Sequence, residues 1–452
     1  MTARDRKILL IASDTLGKHM AGPGIRLFEL ARVLSGIFRV TLAVPPFLAG
    51  GAEPLVPDFP ARALLCRKPR ELRALAAETD VILTLGAVLA VYPFLAKTEK
   101  PLVVDSYDPF LLAGLEQHRD APGDARIETY ERYLRAHSVA LRAADFVLCA
   151  SERQRDYFLG MLSALGRVNP GAYDRDSSLR QLIRVVPFGL SSLPPRHTRR
   201  VLKGVHPGVA VGDRVVLWGG GLWSWFDAQT AVKAISRIER SRSDVKLFFM
   251  GVDRPNPSID QSAAVDEVRR LSRSLGVLDR SVFFNEWVSY DDRQNYLLEA
   301  DLGISLHRES IEARFAFRSR FLDYFWAGLP VVATEGDVLS ERVRLEGVGK
   351  IVSPGDDEAT AAAILELLGM PNLKATYQPR FAALASEHRW EKVAKPLVEF
   401  CLDPRLAPDK AGAEGARSRM TRALRKMKRR LRSVRSRLRA RQQARVEAPV
   451  DS

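Results

Sequence analysis

The chain has 452 residues, of which 46% are hydrophobic and 27% are charged, so its composition is that of a folded globular protein. No uninterrupted apolar run approaches the ~18 residues that a membrane-spanning helix needs, and the first residues show no secretory-signal pattern. The three cysteines lie far apart in the sequence, which argues against a disulfide framework or a zinc site. These features predict a protein of the reducing cytoplasm.

The net charge of +15 is concentrated near the C-terminus. The stretch from Arg417 to Arg445 contains 14 Lys or Arg and no acidic residue, whereas residues 1–404 together carry only +3. A basic groove across the body of the protein, which a nucleic-acid enzyme would need, is therefore not expected.

The first half alternates short apolar runs with amphipathic stretches. Strands are predicted at 7–12 and 39–44, and the stretch between them, 22–34, has apolar residues at helical spacing. Strand, helix and strand at this spacing form a βαβ unit, which implies a parallel sheet. Further strands are predicted at 81–85, 102–106 and 146–150, and a polar, proline-rich stretch at 191–200 predicts a linker.

The same pattern restarts after this linker. A strand at 214–221 ends in a glycine turn, and a helix follows at 227–241. The later strands are predicted at 245–251, 282–287, 302–307, 330–334 and 349–353. The sequence therefore predicts an α/β protein with two halves of similar size.

The segment 307–337 is predicted to be a loop, a helix and a buried strand, with Gly328 closing the helix. Guanidinium groups near a helix N-terminus suit a multiply charged anion, and a nucleotide diphosphate fits that description. The alternative is a solvated helix face on which the arginines pair with Glu309 and Glu312. The arginines of this segment are Arg308, Arg314, Arg318 and Arg320.

Two βαβ halves, the hinge-like VVPFG at 185–189, and Asp323 five residues before GLPVV resemble the glycosyltransferases of family four, over roughly residues 5–402. The resemblance implies the GT-B fold, in which two Rossmann-like domains face each other across a cleft. It assigns 1–190 to an acceptor-side domain, 191–385 to a nucleotide-sugar-binding domain, 386–403 to a helix returning to the first domain, and 404–452 to a basic amphipathic tail.

The resemblance implies a retaining hexosyl- or related glycosyltransferase that takes its sugar from a nucleotide-diphosphate sugar, without a metal or other cofactor. The acceptor would be a glycan or a lipid-linked molecule, in cell-surface polysaccharide synthesis. The alternative is a non-catalytic GT-B scaffold or assembly subunit whose donor site has decayed. Two departures from the family pattern motivate that alternative, and both concern the donor site.

The first departure is in the family's Glu-x7-Glu motif. Its second acid contacts the donor ribose, and the resemblance gives this role to Asp323. The first acid would fall on Phe315, and Glu312 is the nearest candidate. The second departure is the absence of the family's Arg and Lys from 219–230, so Arg318 and Arg320 are expected to bind the diphosphate instead.

Other residues are also predicted to line the site, on sequence patterns that are less specific. Gly22 and Gly24 resemble the family's glycine loop after the first strand, which opens a helix whose N–H groups face the donor phosphates. Gly220 and Gly221 allow close backbone approach to a ligand, so donor contacts are predicted there as well. Trp225 and Asp227 could shape the sugar pocket, although packing and helix capping are equally open for them. Asp105 and Asp108 follow a strand end, where either could act as an acid or base or simply cap a turn. The predicted catalytic set is Glu312, Arg318 and Asp105.

The basic tail carries a narrow apolar stripe at heptad spacing. Such a helix could lie on an anionic membrane, form a coiled coil or bind nucleic acid. Because lipid-linked acceptors are expected, the first interpretation is preferred: residues 417–445 attach a cytoplasmic protein to the inner face of the membrane, and nucleic acid is not an expected partner. The stripe consists of Met420, Leu424, Met427, Leu431, Val434 and Leu438.

Overall fold

The computed structural model describes residues 2–49, 56–252 and 262–411. Two parallel β-sheets, one in each half of the chain, confirm the predicted α/β class. The stretch 417–445 and the rest of the predicted tail beyond residue 411 lie outside the described residues. No helix in the described part of the chain is both long enough and apolar enough to cross a bilayer.

The first sheet has seven strands, β1 (Lys7–Ile11), β2 (Arg39–Val44), β3 (Ala61–Leu65), β4 (Val81–Leu85), β5 (Leu102–Asp105), β6 (Phe146–Cys149) and β7 (Ile183–Val185). Their order is β3-β2-β1-β4-β5-β6-β7. The inner strands are covered on both faces, which is why their sequences are continuous apolar runs. The sequence does not predict β3, because this edge strand is only partly buried and lacks such a run.

The second sheet has six strands, β8 (Arg214–Trp218), β9 (Val245–Phe249), β10 (Val282–Phe284), β11 (Leu302–Ser305), β12 (Val331–Thr334) and β13 (Gly349–Val352). Their order is β10-β9-β8-β11-β12-β13. In both sheets the strand order reverses beside the first strand, between β1 and β4 and between β8 and β11. Ligands of open α/β sheets bind at such switch points, beyond the carboxyl ends of the strands.

The helices of the first half are α1 (Gly22–Ser35), α2 (Pro46–Ala49), α3 (Pro69–Ala77), α4 (Gly86–Val91), α5 (Phe110–Gln117), α6 (Gly123–Ala143), α7 (Glu152–Ala164) and α8 (Pro170–Arg175). Those of the second half are α9 (Ala228–Glu239), α10 (Ser262–Ser274), α11 (Arg293–Glu299), α12 (Ile311–Phe315), α13 (Arg320–Ala327), α14 (Val338–Glu346), α15 (Asp357–Gly369) and α16 (Leu373–Glu387). Three short helices end the described chain: α17 (Trp390–Val393), α18 (Lys395–Leu402) and α19 (Pro408–Ala411).

The segment predicted as one helix within 307–337 forms two helices, α12 and α13. Ser310 caps α12, since its hydroxyl accepts a hydrogen bond from Ala313 N. The second helix ends at Gly328, whose φ of 66° lies in the left-handed region. The predicted glycine stop is therefore confirmed, and the break between the helices places Arg318 just before α13 and Arg320 at its first position.

Two segments of the chain cross between the domains side by side, in a parallel bridge at Leu190 and Arg389. Leu190 N donates to His388 O at 2.6 Å, and Trp390 N donates to Leu190 O at 3.0 Å. Gly189 packs against the indole of Trp390 so closely that a Cβ at this position would lie 2.4 Å from the ring. Only glycine fits this crossing, which belongs to the VVPFG stretch of the predicted hinge.

After the crossing, the chain returns to the first domain. The Phe400 ring stacks on Phe146 with 4.6 Å between centroids. Farther on, the buried carboxylate of Asp145 accepts hydrogen bonds from Ala407 N at 2.8 Å and Lys410 Nζ at 2.7 Å. The last described residues are thus fixed to the first domain by polar contacts as well as by packing.

Polar contacts also join the domains on both sides of the cleft. On one side, Arg153 of α7 forms an ion pair with Glu341 of α14, with 2.5 Å between Nη2 and Oε1. On the other side, Trp287 Nε1 donates to Met20 O at 3.2 Å, and Tyr290 N donates to Lys18 O at 3.0 Å. These contacts therefore bridge the cleft between the two sheets on either side.

Candidate active site

A cavity of about 870 Å³ lies between the carboxyl ends of the two sheets and is lined by both domains. This volume is within the usual range for a small-molecule site. The cavity brings together seven of the predicted site residues: Gly22, Gly220, Gly221, Trp225, Arg318, Arg320 and Asp323. Four others, Gly24, Asp105, Asp227 and Glu312, do not line it.

The turn after β8 forms one wall of the cavity. Gly220 has a φ of 75°, and nothing lies within 4 Å of the place where its Cβ would be. The turn is held from behind by Tyr324, because Gly219 N donates to its hydroxyl oxygen at 2.8 Å. That hydroxyl also lies 2.9 Å from Ile304 O, and burial raises the pKa of Tyr324 to about 12. Tyr324 therefore ties the ends of β8 and β11 together, a role that its sequence context does not signal.

Arg320 lies beside this turn as a buried cation. Its Nη2 donates to Gly221 O at 3.1 Å, whereas its buried Nη1 has no hydrogen-bond partner. The guanidinium packs over the rings of Phe226 and Trp218, at 4.0 and 4.9 Å from their centroids. No carboxylate of the described residues forms an ion pair with it, and burial lowers its pKa to about 10. A bound anion at this place would supply the missing counter-charge.

Arg318 differs from Arg320 because it has an acidic partner. Its Nη2 lies 2.5 Å from Glu312 Oε2, and both side chains are buried. Glu312 keeps its other carboxylate oxygen, Oε1, without a hydrogen-bond partner. The predicted Glu312 and Arg318 thus form a pair at the cavity wall, and only the arginine of the pair reaches the lining.

Asp323 is held by a residue that sequence reasoning missed. Arg293 Nε lies 3.2 Å from Asp323 Oδ1, and the guanidinium packs over the Tyr290 ring at 3.7 Å from its centroid. The Asp323 side chain remains 30% exposed and lines the cavity. A carboxylate that is open to the cavity on one side can accept hydrogen bonds from the hydroxyl groups of a ligand.

Two residues of the first domain that were predicted for the site, Asp105 and Gly24, do not line the cavity. Asp105 is 1% exposed, and both of its carboxylate oxygens accept from Arg26, Oδ2 from Nε at 2.6 Å and Oδ1 from Nη2 at 3.0 Å. Asp105 does not line the cavity, so this geometry favours a structural role over the predicted catalytic one. Gly24 also lies outside the lining, where its Cβ would meet Thr15 O at 2.3 Å.

Asp108, the alternative to Asp105 in the sequence, does line the cavity. Burial, together with the nearby Glu312, raises the pKa of its carboxyl to about 7 against the opposing effect of Arg318. The carboxyl can therefore change its protonation state near neutral pH inside the cavity. The local sequence gives no reason to prefer either aspartate. They differ because Arg26 of α1 binds Asp105, whereas Asp108 lines the cavity.

Aromatic rings form another wall. The indoles of Trp223 and Trp225 stack with 4.9 Å between centroids and 7° between planes. Their loop meets the first domain where Ser224 Oγ donates to Glu116 O at 3.5 Å. Asp227 does not belong to this wall, because its carboxylate caps α9 by accepting from Thr230 N at 3.1 Å. The capping interpretation of Asp227 therefore replaces the sugar-pocket one.

Residues 213–370 match the family described as Glycosyl transferases group 1. The predicted resemblance to glycosyltransferases is confirmed. No curated protein matches the chain. In the described part of the chain, no group of three His, Cys, Asp or Glu side chains is placed to hold a metal ion.

Several solved structures of glycosyltransferases resemble this chain over most of its length. Sucrose-phosphate synthase from Thermosynechococcus elongatus has 17% identity and a TM-score of 0.59, over 87% of this chain and 98% of that one. HepE from Anabaena, in complex with UDP-glucose, has 18% identity and a TM-score of 0.59, over 87% and 99%. WaaG, a glycosyltransferase involved in lipopolysaccharide biosynthesis, has 13% identity and a TM-score of 0.57, over 88% and 100%. The chain therefore has the predicted GT-B fold.

Proposed function

We propose that this protein transfers a sugar, with retention at the anomeric carbon, from a nucleotide-diphosphate sugar to a glycan or lipid-linked acceptor in cell-surface polysaccharide synthesis. The observation that carries the proposal is the buried guanidinium of Arg320, which lies beside the turn at Gly221 without an acidic partner. A nucleoside diphosphate placed there would receive the charge-assisted hydrogen bonds that such a group offers.

The proposed reaction develops negative charge on the departing diphosphate. Arg320 is buried and already positioned, so its charge would stabilise that negative charge without reorganisation. Asp323 accepts hydrogen bonds from the donor ribose, and Arg293 fixes its orientation. We propose that these groups act without a metal ion. Closure of the cleft keeps water away from the reacting atoms.

Two of the similar structures support this choice of donor and process. HepE from Anabaena was solved with UDP-glucose, and WaaG is described as a glycosyltransferase of lipopolysaccharide biosynthesis. The alternative function is a scaffold with a decayed donor site, and one of the two departures from the family pattern that favoured it carries less weight here. The family's Arg and Lys are absent from the glycine turn, and we propose that Arg320, which lies beside this turn, takes their place.

Binding of the donor nucleotide depends on Asp323. We expect one of UDP, GDP, ADP or CDP, or the corresponding sugar, to stabilise the wild-type protein with and without magnesium. At ~100 times its Kd the nucleotide adds roughly 2.7 kcal/mol to the free energy of unfolding. The change Asp323→Asn removes the negative charge and replaces one of the two accepting carboxylate oxygens with an amide donor, so it should weaken binding roughly 10- to 100-fold. A thermal-shift titration measures both effects.

The control for this experiment is Glu358→Gln, an exposed acid of α15 outside the cavity, which should bind the nucleotide as the wild type does. If no nucleotide stabilises the wild type, the scaffold alternative is favoured. If a nucleotide stabilises the Asp323→Asn variant equally well, the assignment of the ribose contact is wrong.

We also propose that residues 417–445 bind the anionic inner face of a membrane and bring the cleft to lipid-linked acceptors. Their 14 positive charges support this interpretation. The full chain should then sediment with vesicles containing phosphatidylglycerol, much less with neutral vesicles, and less at high salt. A chain ending at residue 411 should stay in the supernatant. Equal sedimentation of the two chains would contradict the proposal.

A further inference from the structure

The aromatic wall continues into the first domain through the helices α5 and α6. Phe110 of α5 and Tyr133 of α6 line the same cavity as Trp223 and Trp225. Tyr133 packs on Gly114, where a Cβ would lie 3.0 Å from its ring. This part of the cavity therefore offers flat apolar faces, which suit the faces of sugar rings and other apolar groups.

Two cationic or proton-accepting side chains interrupt these faces, Arg132 of α6 and His118 after α5, and we call them the α5–α6 rim. Arg132 Nη2 donates a long hydrogen bond of 3.4 Å to Thr129 Oγ1, and no ion pair with Arg132 exists among the described residues. The acid of α5, Glu116, is paired with Arg119 instead, at 2.7 Å. Arg132 is thus an exposed residue at the edge of the cavity, and no acidic side chain of the described residues pairs with it there.

The imidazole of His118 lies close to the charge of Arg132. Burial lowers the pKa of His118, and the nearby Arg132 lowers it further. Its ring lies 6.2 Å from that of Tyr133, between centroids. An anion bound to Arg132 would oppose the lowering of the His118 pKa by that arginine. The protonated imidazole could then donate a hydrogen bond to the same ligand.

We infer that the α5–α6 rim binds an anionic group, a phosphate or a carboxylate, that the acceptor carries next to the part stacked on the tryptophans. This inference rests on the proposed function and names the class of its acceptor. The guanidinium of Arg132 matches both groups with paired donors. On the donor side of the cavity, Arg320 takes the diphosphate, so the two unpaired arginines divide the two substrates between them.

The test uses three probes that share a phenyl ring: phenyl glucoside, phenyl glucuronide and phenyl phosphate. The first two differ by one carboxylate. Each is titrated calorimetrically into the full chain after saturation with the nucleoside diphosphate that stabilises it. The wild type should bind the glucuronide, the phosphate or both at least tenfold more tightly than the glucoside, and this preference should decrease at high salt.

The variant Arg132→Gln should lose the preference while binding the glucoside and the nucleotide unchanged. The matched control is Arg135→Gln, an exposed arginine one turn along the same helix and outside the cavity, which should keep the preference. Comparison of the phosphate with the glucuronide shows which anion the rim prefers.

Equal binding of the glucoside and both anions by the wild type overturns the inference, as does a preference that survives in Arg132→Gln. Failure of every probe to bind while the nucleotide still binds also overturns it and leaves the donor site intact. Absence of nucleotide binding contradicts the proposed function itself, and the inference falls with it.

Discussion

The change Arg26→Met should lower the free energy of unfolding by about 3–5 kcal/mol, because it leaves a buried carboxylate without its partner. Arg26 and Asp105 are each about 1% exposed in their side chains. The guanidinium also donates to Val186 O at 2.8 Å and to Pro187 O at 2.9 Å, at the start of the crossing between the domains. Urea unfolding followed by fluorescence and circular dichroism measures the loss.

The matched control for this prediction is Arg32→Met on the same helix. Arg32 pairs with the buried Glu29 at 3.2 Å and with the exposed Asp58 at 2.9 Å. Its own side chain is 36% exposed, and Glu29 also interacts with Arg293 and Tyr290, so the loss of Arg32 should cost clearly less than the loss of Arg26. The double change Arg26→Met with Asp105→Leu should recover most of the lost stability, since no buried charge remains. Similar losses in Arg26→Met and Arg32→Met would contradict the structural role of Asp105.

The change Arg320→Gln should weaken binding of the nucleoside diphosphate roughly 10- to 100-fold and leave binding of the nucleoside unchanged. Transfer should slow further, by about 100-fold in kcat, because the departing diphosphate loses a positioned positive charge. The fold should persist, since burial without an acidic partner already disfavours the charged form of Arg320. Calorimetric titration with the nucleoside and its diphosphate separates the expected loss of diphosphate binding from any loss of nucleoside binding.

The control for this change is Arg314→Gln, which removes an exposed arginine of α12, from the same cluster in the sequence but outside the cavity lining. It should bind the diphosphate as the wild type does. If the two variants bind the diphosphate equally, the cluster acts only through its net charge, and the assignment of the diphosphate to Arg320 is wrong.

The elements of the fold were accessible from the sequence because they depend on local patterns. Buried parallel strands such as β4 and β8 are continuous apolar runs, and a glycine such as Gly328 can end a helix by its own backbone freedom. The edge strand β3 was not predicted because it is only partly buried and therefore lacks a continuous apolar run. The arginine cluster of 308–320 was equally visible, since it is a matter of composition within one segment.

The sequence alone therefore determined the α/β class, the two halves, the glycine turn at 219–221 and the arginine cluster of the second half. Tertiary structure alone decided which residue of each pattern faces the cavity. Arg26 reaches Asp105 across 79 residues and leaves Asp108 as the carboxyl in the cavity, while Arg293 reaches Asp323 across 30 residues. The physical reason is that ion pairs form between side chains that the sheets bring together, and spacing along the chain carries no record of such contacts.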